Sequence, residues 1–283
     1  MARLGMHFSL WGPAFTPEAA AWALPEAAGY GLELIEIPLL TPGTVDIPHA
    51  RALLAEHGLA ASASLCLPAD CMAQERPQQA TAFLLQVLEE AHALGCSFLG
   101  GVTYSQLGYR SGRAPTEREY ENIATALRPV ARRAGEYGML LGLAPCNRYE
   151  THLINTAQQG MDVAARIGEP NVVIHLDTYH MNIEEKGLPS GFAIAGKKAP
   201  YIHVSESDRG VPGTGTVNWE AAFAALAAGG FEGDLVMESF VSVPPELAGA
   251  LAVWRPVARD RHEVLDQGVS FLRELGRKHG LFA

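Results

Sequence analysis

Short apolar runs rich in Val, Ile, Leu and Phe alternate along this chain with longer segments in which apolar residues recur at helical spacing. The runs number eight: residues 4–9, 32–38, 60–67, 98–104, 139–143, 172–177, 201–204 and 235–239. Helical periodicity marks residues 17–28, 78–94, 117–137, 158–167, 219–228 and 262–279, each stretch long enough to cross back over a sheet. Alternation of this kind is the signature of repeated βα units around a parallel sheet. Gly29, Gly95, Gly138, Gly168 and Gly229 follow helical segments and are predicted to be left-handed C-caps. No Gly-x-Gly-x-x-Gly turn follows the first run, which weakens the open doubly wound alternative. With no linker or internal repeat, the pattern predicts an α/β fold of one domain over residues 1–283, a (β/α)8 TIM barrel.

Composition narrows the function. The 283 residues are 48% hydrophobic, ample for a sizeable core. Lys and Arg number 21 against 31 Asp and Glu, a formal net charge of -10 with no dense basic cluster, so nucleic acid is excluded as a partner. No apolar run approaches the roughly 20 residues that span a bilayer, and the first ten residues lack a charged start followed by an apolar core. The expectation is a soluble, cytoplasmic protein with no membrane partner. Cys66, Cys71, Cys96 and Cys146 lack Cys-x-x-Cys spacing and are expected to be reduced thiols.

Candidate chemistry gathers where the last four runs end. Three of these ends carry possible metal ligands, Asp177, His203 and Glu238, and the fourth carries Ala144. Asp177 closes Val172-Val173-Ile174-His175-Leu176 and is either a ligand or the N-cap of a following helix. His203 is either a ligand or a core histidine, and a carboxylate at Glu238 needs a partner or a cation. His180 lies three residues beyond Asp177 in a polar stretch read as a donor-rich loop. Glu150 either turns inward or pairs with Arg148 on the surface. Two carboxylates and an imidazole suit Mn²⁺, Mg²⁺ or Co²⁺ rather than a thiolate-seeking ion.

The chain resembles the ketose 3-epimerases, which include the D-tagatose, D-allulose (D-psicose) and L-ribulose 3-epimerases. The resemblance rests on Asn147-Arg148-Tyr149-Glu150-Thr151, on residues 176–185, on residues 203–209 and on Glu238-Ser239-Phe240. Ile35-Glu36, residues 101–105, Gly213-Thr214-Gly215 and Trp254-Arg255 add to it. It implies a xylose isomerase-like TIM barrel that epimerises free ketoses at C3 by removing and returning a proton through a cis-enediolate. It further implies one divalent metal, Mn²⁺ first, held at positions 144, 177, 203 and 238. Substrate contacts would come from Glu150, His180 and Arg209, with His7, Cys66 and Phe240 shaping the pocket of a homodimer or homotetramer. Glu238 and the residue at 144 would be the two catalytic carboxylates, one on each face of C3. Ala144 departs from that pattern, so the resemblance implies an epimerase of very low activity. A deliberate inactivating substitution, a natural sugar binder without turnover, and an enzyme using Glu150 as its second base each account for the alanine. An aldose-ketose or hydroxypyruvate-type isomerase on the same barrel is the enzymatic alternative.

Overall fold

The computed structural model describes residues 1–243 and 245–283. The eight apolar runs form the strands β1 (Arg3–His7), β2 (Leu34–Pro38), β3 (Ala60–Cys66), β4 (Phe98–Val102), β5 (Leu140–Leu143), β6 (Val172–Asp177), β7 (Tyr201–His203) and β8 (Asp234–Met237). Each strand pairs parallel with the next, and β8 pairs with β1 to close the barrel in chain order. The strands are short because their outer ends give way to loops at one mouth, where Ala144 and Glu238 stand just past β5 and β8. A floor of Leu34, Phe98, Val173, Tyr201 and Val236 fills the barrel interior. The larger core lies between sheet and helices, as expected of a barrel whose strands are covered on both sides.

The outer layer contains α1 (Pro17–Gly29), α2 (Ile47–Glu56), α3 (Pro77–Leu94), α4 (Glu117–Glu136), α5 (Ala157–Ile167), α6 (Thr178–Glu184), α7 (Leu188–Ala195), α8 (Trp219–Ala228), α9 (Pro245–Leu251) and α10 (Arg261–Glu263). A π-helical stretch, Val264–Val269, joins α10 to α11 (Ser270–Lys278) and makes one continuous final helix. Thr116 with Glu119 and Thr156 with Gln159 form reciprocal capping boxes at α4 and α5. Among the described residues, no helix is long and apolar enough to cross a membrane.

Several expectations need correction. Gly95 and Gly168 are left-handed C-caps, and Gly138 is left-handed one residue past the cap of α4. Gly29 is instead the last residue of α1 and Gly229 caps α8 with φ −77, the left-handed turns falling on Gly31 and Gly230. The polar stretch after Asp177 is helix α6, because the Asp177 side chain accepts the Tyr179 N–H and starts it. Helices α2, α7 and α9 were also absent from the periodic pattern; the first two are short and carry proline as their second residue.

Candidate metal and substrate site

Parallel pairing sets Asp177 of β6 level with His203 of β7, and Glu238 follows β8 at the same mouth. His203 Nδ1 lies 3.8 Å from Asp177 Oδ2 and 3.6 Å from Glu238 Oε2. The opposite ring nitrogen, Nε2, is 2.6 Å from Glu36 Oε2 on β2. Glu36 also accepts the Tyr201 hydroxyl at 2.5 Å and is fully buried. Burial opposes its charge, but His203, His7 and His175 outweigh burial and hold the carboxyl well below the usual range. An ionised Glu36 can only accept, so His203 Nε2 carries a proton, and Nδ1, which faces Asp177 and Glu238, is the nitrogen left to bind a cation once its own proton is displaced. Carboxylate behind imidazole is the arrangement that orients a metal-ligating histidine. In the protein without cation, burial lowers the proton affinity of His203, yet Glu36, Asp177 and Glu238 outweigh this and raise its pKa well above the ordinary value.

Two neighbouring clusters, Cys146 with Glu150 and His180, and Glu36 with His175 and His203, are also close enough to hold a cation. Hydrogen bonding argues against both. The His180 Nδ1 accepts the Asn147 backbone N–H at 3.1 Å and faces Asn147 Nδ2 at 2.9 Å. That amide is oriented by giving Nδ2 to Glu150 and receiving the Tyr149 N–H on Oδ1. His180 Nε2 therefore bears the proton and is a donor rather than a ligand. His175 is fixed in the same way by the Gly101 N–H, 3.1 Å from its Nδ1. Of the three clusters among the described residues, that of Asp177, His203 and Glu238 is the one whose facing atoms are not fixed as acceptors of a backbone N–H, and two oxygens with one nitrogen fit a hard or borderline divalent cation.

Around these three residues stand the other expected side chains. Glu150 turns inward and is fully buried, while Arg148 pairs with Glu184 instead, which settles the choice between interior and surface. Its Oε1 accepts Asn147 Nδ2 at 2.9 Å and its Oε2 has no partner. Arg209, also buried, gives Nη1 to Glu238 Oε2 at 2.6 Å and lies over the Tyr179 ring at 4.4 Å. It adopts φ 61, a left-handed conformation that a residue with a side chain keeps only when its surroundings enforce it. Arg209 Nη2 is 3.1 Å from His180 Nε2, so two donors stand side by side where a ligand oxygen would satisfy both. Burial opposes ionisation of Glu238, but Arg209 and His203 outweigh it and hold that carboxyl well below its ordinary range.

These groups open into a cavity of about 360 Å³ that is lined by every residue expected from the sequence, including His7, Cys66, Phe240 and Ala144. Burial lowers the pKa of His7 and raises that of the Cys66 thiol, leaving both neutral near pH 7. Leu10, Trp11, Leu107 and Leu251 give the mouth an apolar rim. All four cysteines are free. Glu36, Asn147 and His175 are the residues that motif reasoning left without a role. A charge at the third position of Leu34-Ile35-Glu36-Ile37, and a histidine two before Asp177 in β6, were the available signals.

Residues 24–275 match the family model described as Xylose isomerase-like TIM barrel. The ketose 3-epimerase of Arthrobacter globiformis is 36% identical over 278 residues, covering 96% of each chain. The L-ribulose 3-epimerase of Methylomonas sp. (strain DH-1) is 36% identical over 276 residues, covering 95% of this chain and 96% of the relative. The crystal structure of D-allulose 3-epimerase from Methylomonas sp. in complex with D-allulose superimposes with a TM-score of 0.91 at 34% identity and covers 96% of each chain. Strand order, the mouth-side site and these full-length similarities agree, and the chain belongs to the xylose isomerase-like TIM barrel family and, within it, to the ketose 3-epimerases.

Proposed function

We propose that this chain binds a free, unphosphorylated ketose and one divalent cation on a scaffold for epimerisation at C3, with turnover held very low by Ala144. The observation that carries this reading is the orientation of His203. With Nε2–H committed to Glu36, its Nδ1, once deprotonated, joins Asp177 Oδ2 and Glu238 Oε2 in one donor set. Mn²⁺ suits that set best, with Mg²⁺ and Co²⁺ as alternatives. When bound, such a cation supplies Lewis-acid polarisation of a ketose carbonyl and its neighbouring hydroxyl.

The protein's own groups divide the remaining work. Glu238 is the proton acceptor at one face of C3, and Arg209 keeps its carboxyl ionised and fixed in place. His180 Nε2–H and the Arg209 guanidinium donate to substrate oxygen, while the free Glu150 Oε2 accepts from a hydroxyl. Asn147 positions Glu150 and His180 together. The apolar rim of Trp11, Leu107 and Phe240 limits water at the reacting carbons. Ala144 offers no acid or base to the opposite face of C3, which is why inversion is slow in this reading. The exposed Trp254 and Leu247 support a homodimer or homotetramer.

The experiment incubates the Mn²⁺-loaded protein with D-fructose, D-tagatose or L-ribulose and resolves the products. Slow inversion at C3 supports the reading, and transfer between C1 and C2 would replace it with aldose-ketose isomerisation. Ala144 also favours a second reading, a sugar-binding protein without turnover. Calorimetry showing tight ketose binding, together with no epimerisation after Ala144→Glu, would select that one.

A further inference from the structure

Glu36 can orient His203 only if something other than His203 holds Glu36. Its hydrogen bonds fall on one oxygen: Oε2 accepts His203 Nε2–H at 2.6 Å and the Tyr201 hydroxyl at 2.5 Å. The other oxygen, Oε1, is buried without a hydrogen-bond partner, with His7 Nε2 3.6 Å away. Among the described residues, Tyr201 is therefore the hydrogen-bond partner that holds this carboxylate from outside the metal site. The Tyr201 hydroxyl is itself held. Its proton goes to Glu36, so the Ser62 hydroxyl, 2.6 Å away, donates to the Tyr201 oxygen. Glu36 and Ser62 are register partners on β2 and β3, while Tyr201 stands two residues before His203 on β7, so both β7 side chains point the same way into the barrel. In the closed strand order β7 neighbours neither β2 nor β3, and Tyr201 reaches them across the barrel interior. Its ring stacks on Phe98 with centroids 3.9 Å apart and planes at 8°, and His175 meets it edge-on at 4.9 Å. Phe98 fits there because β4 and β5 carry Gly100 and Gly142, where a Cβ would collide with its ring.

We propose that Tyr201 is a positioning residue of the candidate metal site: a strut across the barrel floor whose hydroxyl fixes the Glu36 carboxylate and, through it, the ring of His203. The inference rests on the reading of Asp177, His203 and Glu238 as metal ligands. Each support is fixed by the one before it. Two glycines admit Phe98, Phe98 sets the plane of Tyr201, Tyr201 anchors Glu36, and Glu36 orients His203. Tyr201 does not line the cavity, so it acts on a bound cation only through Glu36. Without the hydroxyl, the one hydrogen bond left to the carboxylate is to the ring it has to hold, and the two turn together. His203 Nδ1 then swings away from Asp177 and Glu238, and the donor set loosens.

Free Mn²⁺ measured by electron paramagnetic resonance reads the affinity of the full chain without any turnover. Tyr201→Phe keeps the ring on Phe98 and removes only the hydroxyl. It is expected to weaken Mn²⁺ binding by about threefold to tenfold, less than loss of Glu36 itself, because it stands one contact further from the cation. In a Glu36→Ala background the same substitution is expected to have no further effect, since the link to His203 is already gone. Proton resonance supplies a readout that a loss of stability alone does not move. In the folded, cation-free protein the His203 Nε2–H signal, assigned by its absence from His203→Gln, is expected to shift and broaden in Tyr201→Phe. Ser62→Ala leaves the aromatic stack whole and tests the same link should Tyr201→Phe fail to fold; a smaller loss of Mn²⁺ affinity is expected, again absent in Glu36→Ala. Unchanged Mn²⁺ affinity in the folded variants, an unmoved His203 signal, or equal losses with and without Glu36 overturns the positioning role while leaving the three-residue metal site standing. Absence of Mn²⁺ binding by the unsubstituted chain overturns both.

Discussion

At the scale of single residues the site is governed by protons. In the proposed site His203 can serve as a ligand only because Glu36 takes its Nε2–H, so Glu36 would act through His203 rather than by touching substrate. Glu36→Gln is expected to weaken Mn²⁺ binding about 10- to 100-fold with the barrel intact, as read by calorimetry and circular dichroism. The same contacts set the pH dependence. Because the folded pKa of His203 is raised, its charged form stabilises the cation-free fold below the unfolded value of about 6.5, and that contribution is lost as pH rises through the folded pKa. A cation must displace this proton. Mn²⁺ affinity is therefore expected to rise with pH from about 6.5 until the folded pKa is passed, with proton release seen as a buffer-dependent binding enthalpy; a flat profile would place the ligand nitrogen elsewhere. Asp177, His203 and Glu238 were legible in the sequence because each interrupts or ends an apolar run. The role of Glu36 was not, since its partner lies 167 positions away and only barrel closure joins them.

At the scale of elements, β6 and α6 meet at a residue with two functions. Asp177 accepts the Tyr179 N–H on Oδ1 as an N-cap and keeps Oδ2 toward His203. The alternatives of ligand and cap are thus compatible, one oxygen for each. Asp177→Asn is expected to retain the cap and cut Mn²⁺ affinity by more than about 100-fold, exceeding the Glu36 effect. Asp177→Ala is expected to lose both, the missing cap costing about 1 kcal/mol relative to Asn in urea unfolding of the cation-free protein. Equal stability of the two variants would show that α6 does not depend on this cap. The eight strands were legible because a barrel interior demands near-continuous apolar runs, and the long helices because one face stays polar. Helices α6 and α7 escaped because each has only two or so turns, too few for a period to emerge. The caps at Gly29 and Gly229 were misplaced because each helix is followed by a second glycine within two residues, and that one takes the left-handed turn.

At the scale of the molecule, the barrel brings seven ionisable side chains from β1, β2, β6, β7, helix α6 and the loops after β5 and β8 to one mouth: His7, Glu36, Glu150, Asp177, His180, His203 and Glu238. Arg209 pairs with Glu150 and Glu238 from a strained backbone position. Rigid surroundings of that kind are what a proton-transfer site requires, because geometry must be set before a carboxylate can act. The chain departs from this completeness at Ala144, which lines the cavity where β5 ends with a methyl group. The most direct measurement compares the initial rate of C3 epimerisation of L-ribulose and D-fructose by the Mn²⁺-loaded chain and by its Ala144→Glu variant. A gain of about 100-fold or more in the variant is predicted, the typical contribution of one placed acid-base group. Equal rates in the two proteins would contradict the account, since the opposite face of C3 would then be served without a carboxylate at position 144.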